Sequence, residues 1–214
     1  RPKRKALTLE QQNAFIRFLK SKPLYYSWSI LFAVLLGTGC RIAEFIGLRW
    51  CDIDWKNNTI SINHNLVYRQ HTDGKCYFSV TTPKTSAGCR TIPMMKDVRR
   101  ALEDEKIRQQ ELGVRCTTVI DGYTDFAFFN RFGQPHNPAA INREIDRLVL
   151  AYNAQEMEKA AEENRTPLIL PDFSCHQLRH TFCTRYCEIE PNIKVIQEVM
   201  GHKDIKTTME IYAE

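Results

Sequence analysis

The sequence predicts an α+β fold, mainly helical, with one small three-stranded antiparallel sheet. Three observations carry that expectation. Apolar residues recur at helical spacing near both ends of the chain. Alternating and β-branched stretches are confined to residues 59–93. The 214 residues suffice for one large domain or two small ones with a buried core.

The first helix starts at Thr8, where Gln11 three positions on completes a capping box, and Phe15, Ile16, Phe18 and Leu19 supply its apolar face. A second, largely apolar helix runs from about Tyr25 to Leu36 and stops at Gly37-Thr38-Gly39, where glycine permits a sharp change of direction. Arg41 to Leu48 follows as a short amphipathic stretch. The strands are expected at Thr59–Tyr68, Cys76–Thr82 and Arg90–Pro93, with a turn at Asp73-Gly74. Residues 83–88 form a flexible tip that holds one lysine, Lys84.

Helical pattern resumes at Asp97–Leu112. It returns at Asn137-Pro138, with Asn as cap and Pro in the first helical position, and runs to about Ala161. Three short helices close the chain: Cys175–Cys187, Asn192–Met200 and Asp204–Tyr212. Asp172 is the expected cap of the first of these.

Composition narrows the function. With 43% apolar and 26% charged residues, the chain is neither collagen-like nor disordered. Its longest apolar run, Trp28–Gly37, is about half a membrane span, and no signal peptide opens it. Residues 1–100 carry 17 Lys and Arg against 6 Asp and Glu, while residues 101–214 carry 13 against 19. A basic half of that size suits a polyanion such as nucleic acid, although a merely solvated surface is an even alternative on charge alone. The eight cysteines form no C-x-x-C pair and read as reduced cytosolic thiols, several of them buried.

Two metal-type patterns are present and incomplete. His176 and His180 have the spacing of a zincin helix, but Gln177 stands where the general base belongs. Cys175, Cys183 and Cys187 lie close by in sequence without the paired spacing of a structural zinc site. No glycine-rich phosphate loop occurs.

What remains is an ordered set of cationic and hydroxyl residues at turns: T-G-C-R-I-A-E at 38–44, H-Q-L-R-H-T-F at 176–182, G-H-K at 201–203 and T-T-M-E-I-Y at 207–212. In this order and spacing they resemble the catalytic signature of the tyrosine recombinase family, and Lys84 matches that family's β-hairpin lysine. The resemblance covers nearly the whole chain. The spelling T-G-C-R-I-A-E-F-I-G-L-R-W-C-D-I-D is most similar to integrases of conjugative transposons in Gram-positive bacteria.

The resemblance implies the tyrosine-recombinase catalytic-domain fold and DNA transesterification in a bacterial cytoplasm. Tyr212 attacks a scissile phosphodiester to form a 3′-phosphotyrosine, and Arg41 and Arg179 grip the phosphate oxygens. Lys84 protonates the leaving 5′-oxygen, His176 acts as acid/base, and His202 contacts the phosphate. It implies no cofactor, metal or ATP. The partners are double-stranded DNA at element ends and target, and other protomers of the same recombinase; the isolated fragment is expected to be monomeric.

Residues 1–7 then read as a basic interdomain linker and 8–214 as the catalytic domain. The N-terminal DNA-binding domains and the C-terminal tail are expected outside this chain, which does not begin with methionine. Glu44 is expected to orient an arginine, and His180 to be structural. The competing classes are a helix-turn-helix DNA-binding module without chemistry, built on Cys175–Met200, and a zinc hydrolase on His176 and His180.

Overall fold

A computed structural model describes residues 6–83 and 88–212. Helix α1 (Leu9–Lys20) begins as its sequence dictates: the Gln11 amide donates to Thr8 Oγ1, and Gln11 Oε1 accepts from the Thr8 amide. Its inward face is Phe15, Phe18 and Leu19, with Ile16 only half-buried. Leu7, just ahead of it, is also buried. Its amide donates to Thr181 Oγ1 at 3.0 Å, and its carbonyl accepts from Arg185.

Helix α2 (Tyr26–Thr38), entered through a 3₁₀ turn at Pro23–Tyr25, is apolar all round and therefore occupies the middle of the helical layer. It packs on α1, on α4 (Lys96–Glu111) and on α6 (Cys175–Ile189). Phe15, Phe32 and Phe173 meet there with centroids 5.5 and 5.3 Å apart. Helix α2 ends two residues later than expected, at Thr38, and Gly39 with φ +60° is its left-handed cap. Helix α3 (Ile42–Gly47) leaves immediately after it.

The sheet region departs from the sequence reading. Strands β1 (Ile53–Asp54), β2 (Thr59–Ile62) and β5 (Arg90–Pro93) form a three-stranded antiparallel sheet in the order β1-β2-β5. Strands β3 (Asn65–Gln70) and β4 (Cys76–Thr81) pair separately as a hairpin around the expected turn at Gly74. The expected strand 59–68 is thus two strands, broken at Asn63-His64. Side-chain anchors cause the break: Asn63 Nδ2 donates to Asp52, and buried His64 sets Nε2 2.7 Å from the Gly47 carbonyl.

Helix α5 (Pro138–Glu162) starts at Asn137, whose side chain accepts from the Ala139 amide, with Pro in the first turn as anticipated. The expected cap of α6 is corrected. Asp172 is exposed and offers only its backbone carbonyl, to Gln177 Nε2 at 3.4 Å. Ser174 is the cap: its amide donates to Gln177 Oε1 at 3.1 Å and its carbonyl accepts from the Gln177 amide at 2.9 Å, while Asp172 lies two residues further ahead. Helices α7 (Ile193–Met200) and α8 (Ile205–Tyr212) complete the chain, with α7 stopped by Gly201 in the left-handed conformation. No helix among the described residues is long and apolar enough to cross a membrane.

Candidate active site

The site is organised by the C-terminal end of α7. The last carbonyls of a helix have no intrahelical donor and carry its negative dipole end, so they are natural acceptors for cations. Three consecutive ones each take an arginine from a different part of the chain. Val199 O accepts from Arg90 Nε at 2.7 Å, Met200 O from Arg179 Nη2 at 2.6 Å, and Gly201 O from Arg41 Nη2 at 2.8 Å.

Arg41 sits in the turn between α2 and α3. Its amide donates to Glu44 Oε2 at 2.8 Å and its Nη1 to Glu44 Oε1 at 2.7 Å, so Glu44 orients it as anticipated. Its side chain stays 42% exposed, leaving the outward edge of the guanidinium toward solvent. Arg179, in the second turn of α6, is buried, and its Nη1 donates to the Gly39 carbonyl at 2.6 Å. The left-handed turn at Gly39 thus aims a carbonyl into the cluster. It also lets α6 come close, because a Cβ at Gly39 would lie 2.2 Å from Phe182 Cδ1.

Glu44 is the only carboxylate among the described residues bonded to two of these arginines. Burial pushes its acidity toward the neutral form, but hydrogen bonds and charge from Arg90, and then from Arg41, outweigh that and hold it at about 2. Arg179 moves the other way: burial, followed by the like charge of Arg41, lowers it to about 10, still protonated at neutral pH. Three guanidiniums around one carboxylate leave a net positive cradle.

His202 follows the α7 cap directly and is buried, with Nδ1 2.9 Å from Thr208 Oγ1. Burial and then the charges of Arg179, Arg41 and Arg90 depress it to about 4, so it is neutral at pH 7. Thr208 lies on α8, one turn before Tyr212, the last residue of that helix. The His202–Thr208 contact therefore ties the tyrosine-bearing helix to the arginine cluster.

His176 is exposed in the first turn of α6, three residues before Arg179 and so adjacent to it on the helix surface. His180 is half-buried, with Thr184 donating to its carbonyl at 3.1 Å. Lys84 falls outside the described residues. The structure therefore brings Arg41, Arg179 and His202 together and sets His176 beside Arg179.

Arg90 and Thr208 were not singled out from the sequence. Arg90 reads there as a charge at a strand start, and its partner Glu44 is 46 residues away. Thr208 had a local signal, the T-T pair in the final motif. No three or more His, Cys, Asp or Glu side chains among the described residues converge as a metal site. Cys183 and Cys187 lie one helical turn apart, and burial pushes the Cys183 thiol up to about 12.

Comparison with known proteins places the whole chain in one family. Residues 5–214 match the model of the phage integrase family. The transposase from transposon Tn916 of Enterococcus faecalis is 34% identical over 211 residues, which is 97% of this chain and 47% of the transposase. The ICEBs1 integrase of Bacillus subtilis is 27% identical, across 99% of this chain and 51% of the integrase. This chain thus spans about half the length of these relatives. Among solved structures, the Tn1549 transposon integrase in complex with transposon right end DNA superposes with a TM-score of 0.86 at 31% identity, over all of this chain and 63% of that one. The superposition covers the whole chain, and the chain belongs to the phage integrase family.

Proposed function

We propose that residues 8–214 are the catalytic domain of a site-specific DNA recombinase that mobilises a transposon or phage-like element. The observation that supports this best is the arginine cluster on the α7 end, joined through His202 and Thr208 to the helix that ends at Tyr212. The DNA named with the Tn1549 integrase agrees with such a substrate.

In this reading a phosphodiester lies against Arg41, with Arg179 behind it. A planar guanidinium donates to two oxygens at once, and the net positive cradle favours the extra charge of the pentacovalent transition state. The Tyr212 oxygen attacks phosphorus, the bond to the 5′-oxygen breaks, and a 3′-phosphotyrosine and a 5′-hydroxyl result. A free tyrosine phenol has a reference pKa of about 10, so ionising one at pH 7 costs about 4 kcal/mol, which in this reading a cationic field and a base offset. His176 serves as that acid/base, and Lys84 supplies the proton to the leaving oxygen.

His202 works as a neutral donor. In this reading the Thr208 hydroxyl donates to Nδ1 and the ring proton sits on Nε2, available to a non-bridging oxygen. The second strand's 5′-hydroxyl reverses the step, so bond energy is conserved without ATP. Fixed cations take the role a metal ion plays in many nucleases. Partner protomers on the same DNA and a bacterial cytoplasmic setting belong to the same reading.

The test uses the protein with whatever segments flank this chain in nature. It is mixed with labelled duplex carrying the element end and a nick just beyond the scissile phosphate, in EDTA and without ATP. An SDS-resistant adduct with the wild type and none with Tyr212→Phe is expected. Binding without any adduct would favour a DNA-binding module, and an adduct that needs added metal would refute metal independence.

A further inference from the structure

Arg90 opens β5, and only 7% of its side chain is exposed. Nη1 and Nη2 donate to the two Glu44 oxygens at 3.0 and 2.9 Å, and Nε donates to Val199 O at 2.7 Å. Glu44 in turn holds Arg41 through both the backbone and the guanidinium. The result is one continuous chain of contacts, from β5 through a buried carboxylate to the exposed arginine. We propose that Arg90 is a positioning residue for strand cleavage. It clamps Glu44 as an anion, thereby fixes Arg41, and anchors to the α7 end the strand that follows residues 84–89.

This deepens the recombinase reading and rests on it. The physical need is plain. Arg41 is long and its side chain is 42% exposed, so its outward pose depends on what grips its inner edge. A buried carboxylate left with one partner shifts toward the protonated form, and a protonated Glu44 grips poorly. Lysine at 90 would keep charge but could not span a carboxylate and a carbonyl together, because its three donors radiate from one atom.

Two measurements test the proposal on the protein with its natural flanking segments. The first follows the Glu44 carboxyl carbon by NMR titration, assigned through Glu44→Gln. The expected result is a low pKa in the wild type, near 2, and a rise of more than about two units in Arg90→Met. An unchanged titration would overturn the clamp. The second is single-turnover cleavage of the nicked duplex at saturating protein, against pH.

Arg90→Met is expected to lose about 10- to 100-fold near pH 8, with DNA affinity within about threefold, and to lose more as pH falls through the raised Glu44 pKa. Arg90→Lys should remove that acid limb while keeping a loss near pH 8, which a merely structural role would not produce. If Arg90→Met fails to fold, Arg90→Lys carries the test, and wild-type cleavage by it would overturn the geometric claim. A wild type whose Glu44 titrates low but which makes no adduct would sink the recombinase reading and the role in cleavage with it. The clamp itself would still be decided by the titration.

Discussion

Gly39→Ala strikes fold and site at the same point. Gly39 has φ +60°, and its added Cβ would meet Phe182 Cδ1 at 2.2 Å and Cε1 and Cγ at 2.9 Å. A left-handed alanine costs about 1–2 kcal/mol, and overpacking against a buried ring about 1–3 kcal/mol more. The total, about 2–5 kcal/mol, corresponds in a chain of this size to a melting point lower by roughly 5–15 °C. Gly74→Ala separates the two contributions, because Gly74 has φ +78° but nothing within 4 Å of its Cβ, so only the backbone cost of about 1–2 kcal/mol applies. Thermal and urea melts of both variants decide the matter. Equal losses would refute the close approach of α6 to the turn. Because the Gly39 carbonyl also accepts from Arg179, Gly39→Ala should slow cleavage by more than about tenfold in its folded fraction.

Other consequences are equally open to measurement. Glu44 is depressed to about 2, so its contribution to stability is fully present above the ordinary carboxylate pKa and disappears as pH falls toward 2. Glu44→Gln should therefore flatten the acid limb of a stability–pH curve below about pH 4.5 and, by stranding Arg90, cost about 3 kcal/mol at pH 7. An acid limb identical to the wild type's would contradict the assigned ion pairs. Thr208→Val should cost about 1–2 kcal/mol in stability but slow adduct formation by about tenfold, as His202 loses the hydroxyl 2.9 Å from its Nδ1. Unchanged cleavage would remove that link. Thr181→Val deletes the acceptor of the Leu7 amide, so hydrogen exchange at Leu7 should quicken by an order of magnitude or more, with about 1 kcal/mol lost globally.

Much of the fold was readable because local chemistry and tertiary need coincide. Thr8 with Gln11, and Asn137 with Pro138, satisfy helix-end donors wherever the helix lies, so their sequence signals survive folding. Helix α2 is apolar all round and had to be central. Misreadings arose where a nonlocal partner decides. The run 59–68 alternates like one strand, yet Asp52 and the Gly47 carbonyl draw Asn63 and His64 out of the ladder. Asp172 and Ser174 both have capping side chains, and the Ser174–Gln177 spacing was the better signal.

The site divides in the same way. Arg41, Arg179, His176 and His202 sit in motifs, but the acceptors that gather the three arginines are backbone carbonyls, which have no residue identity to read. Arg90 was hidden for that reason: two of its three contacts go to Glu44 in a distant turn, and the third to such a carbonyl.

The central claim is that Tyr212 becomes covalently joined to DNA. The chain has eight tyrosines, so the identity of the joined residue is a sharp test. The adduct formed on the nicked duplex would be digested with nuclease and protease and the nucleotide-bearing peptide sequenced by mass spectrometry. A phosphodiester on Tyr212, carried on the 3′ side of the cleaved strand, is the predicted result. Attachment at any other residue, or through a 5′-phosphate, would contradict the account.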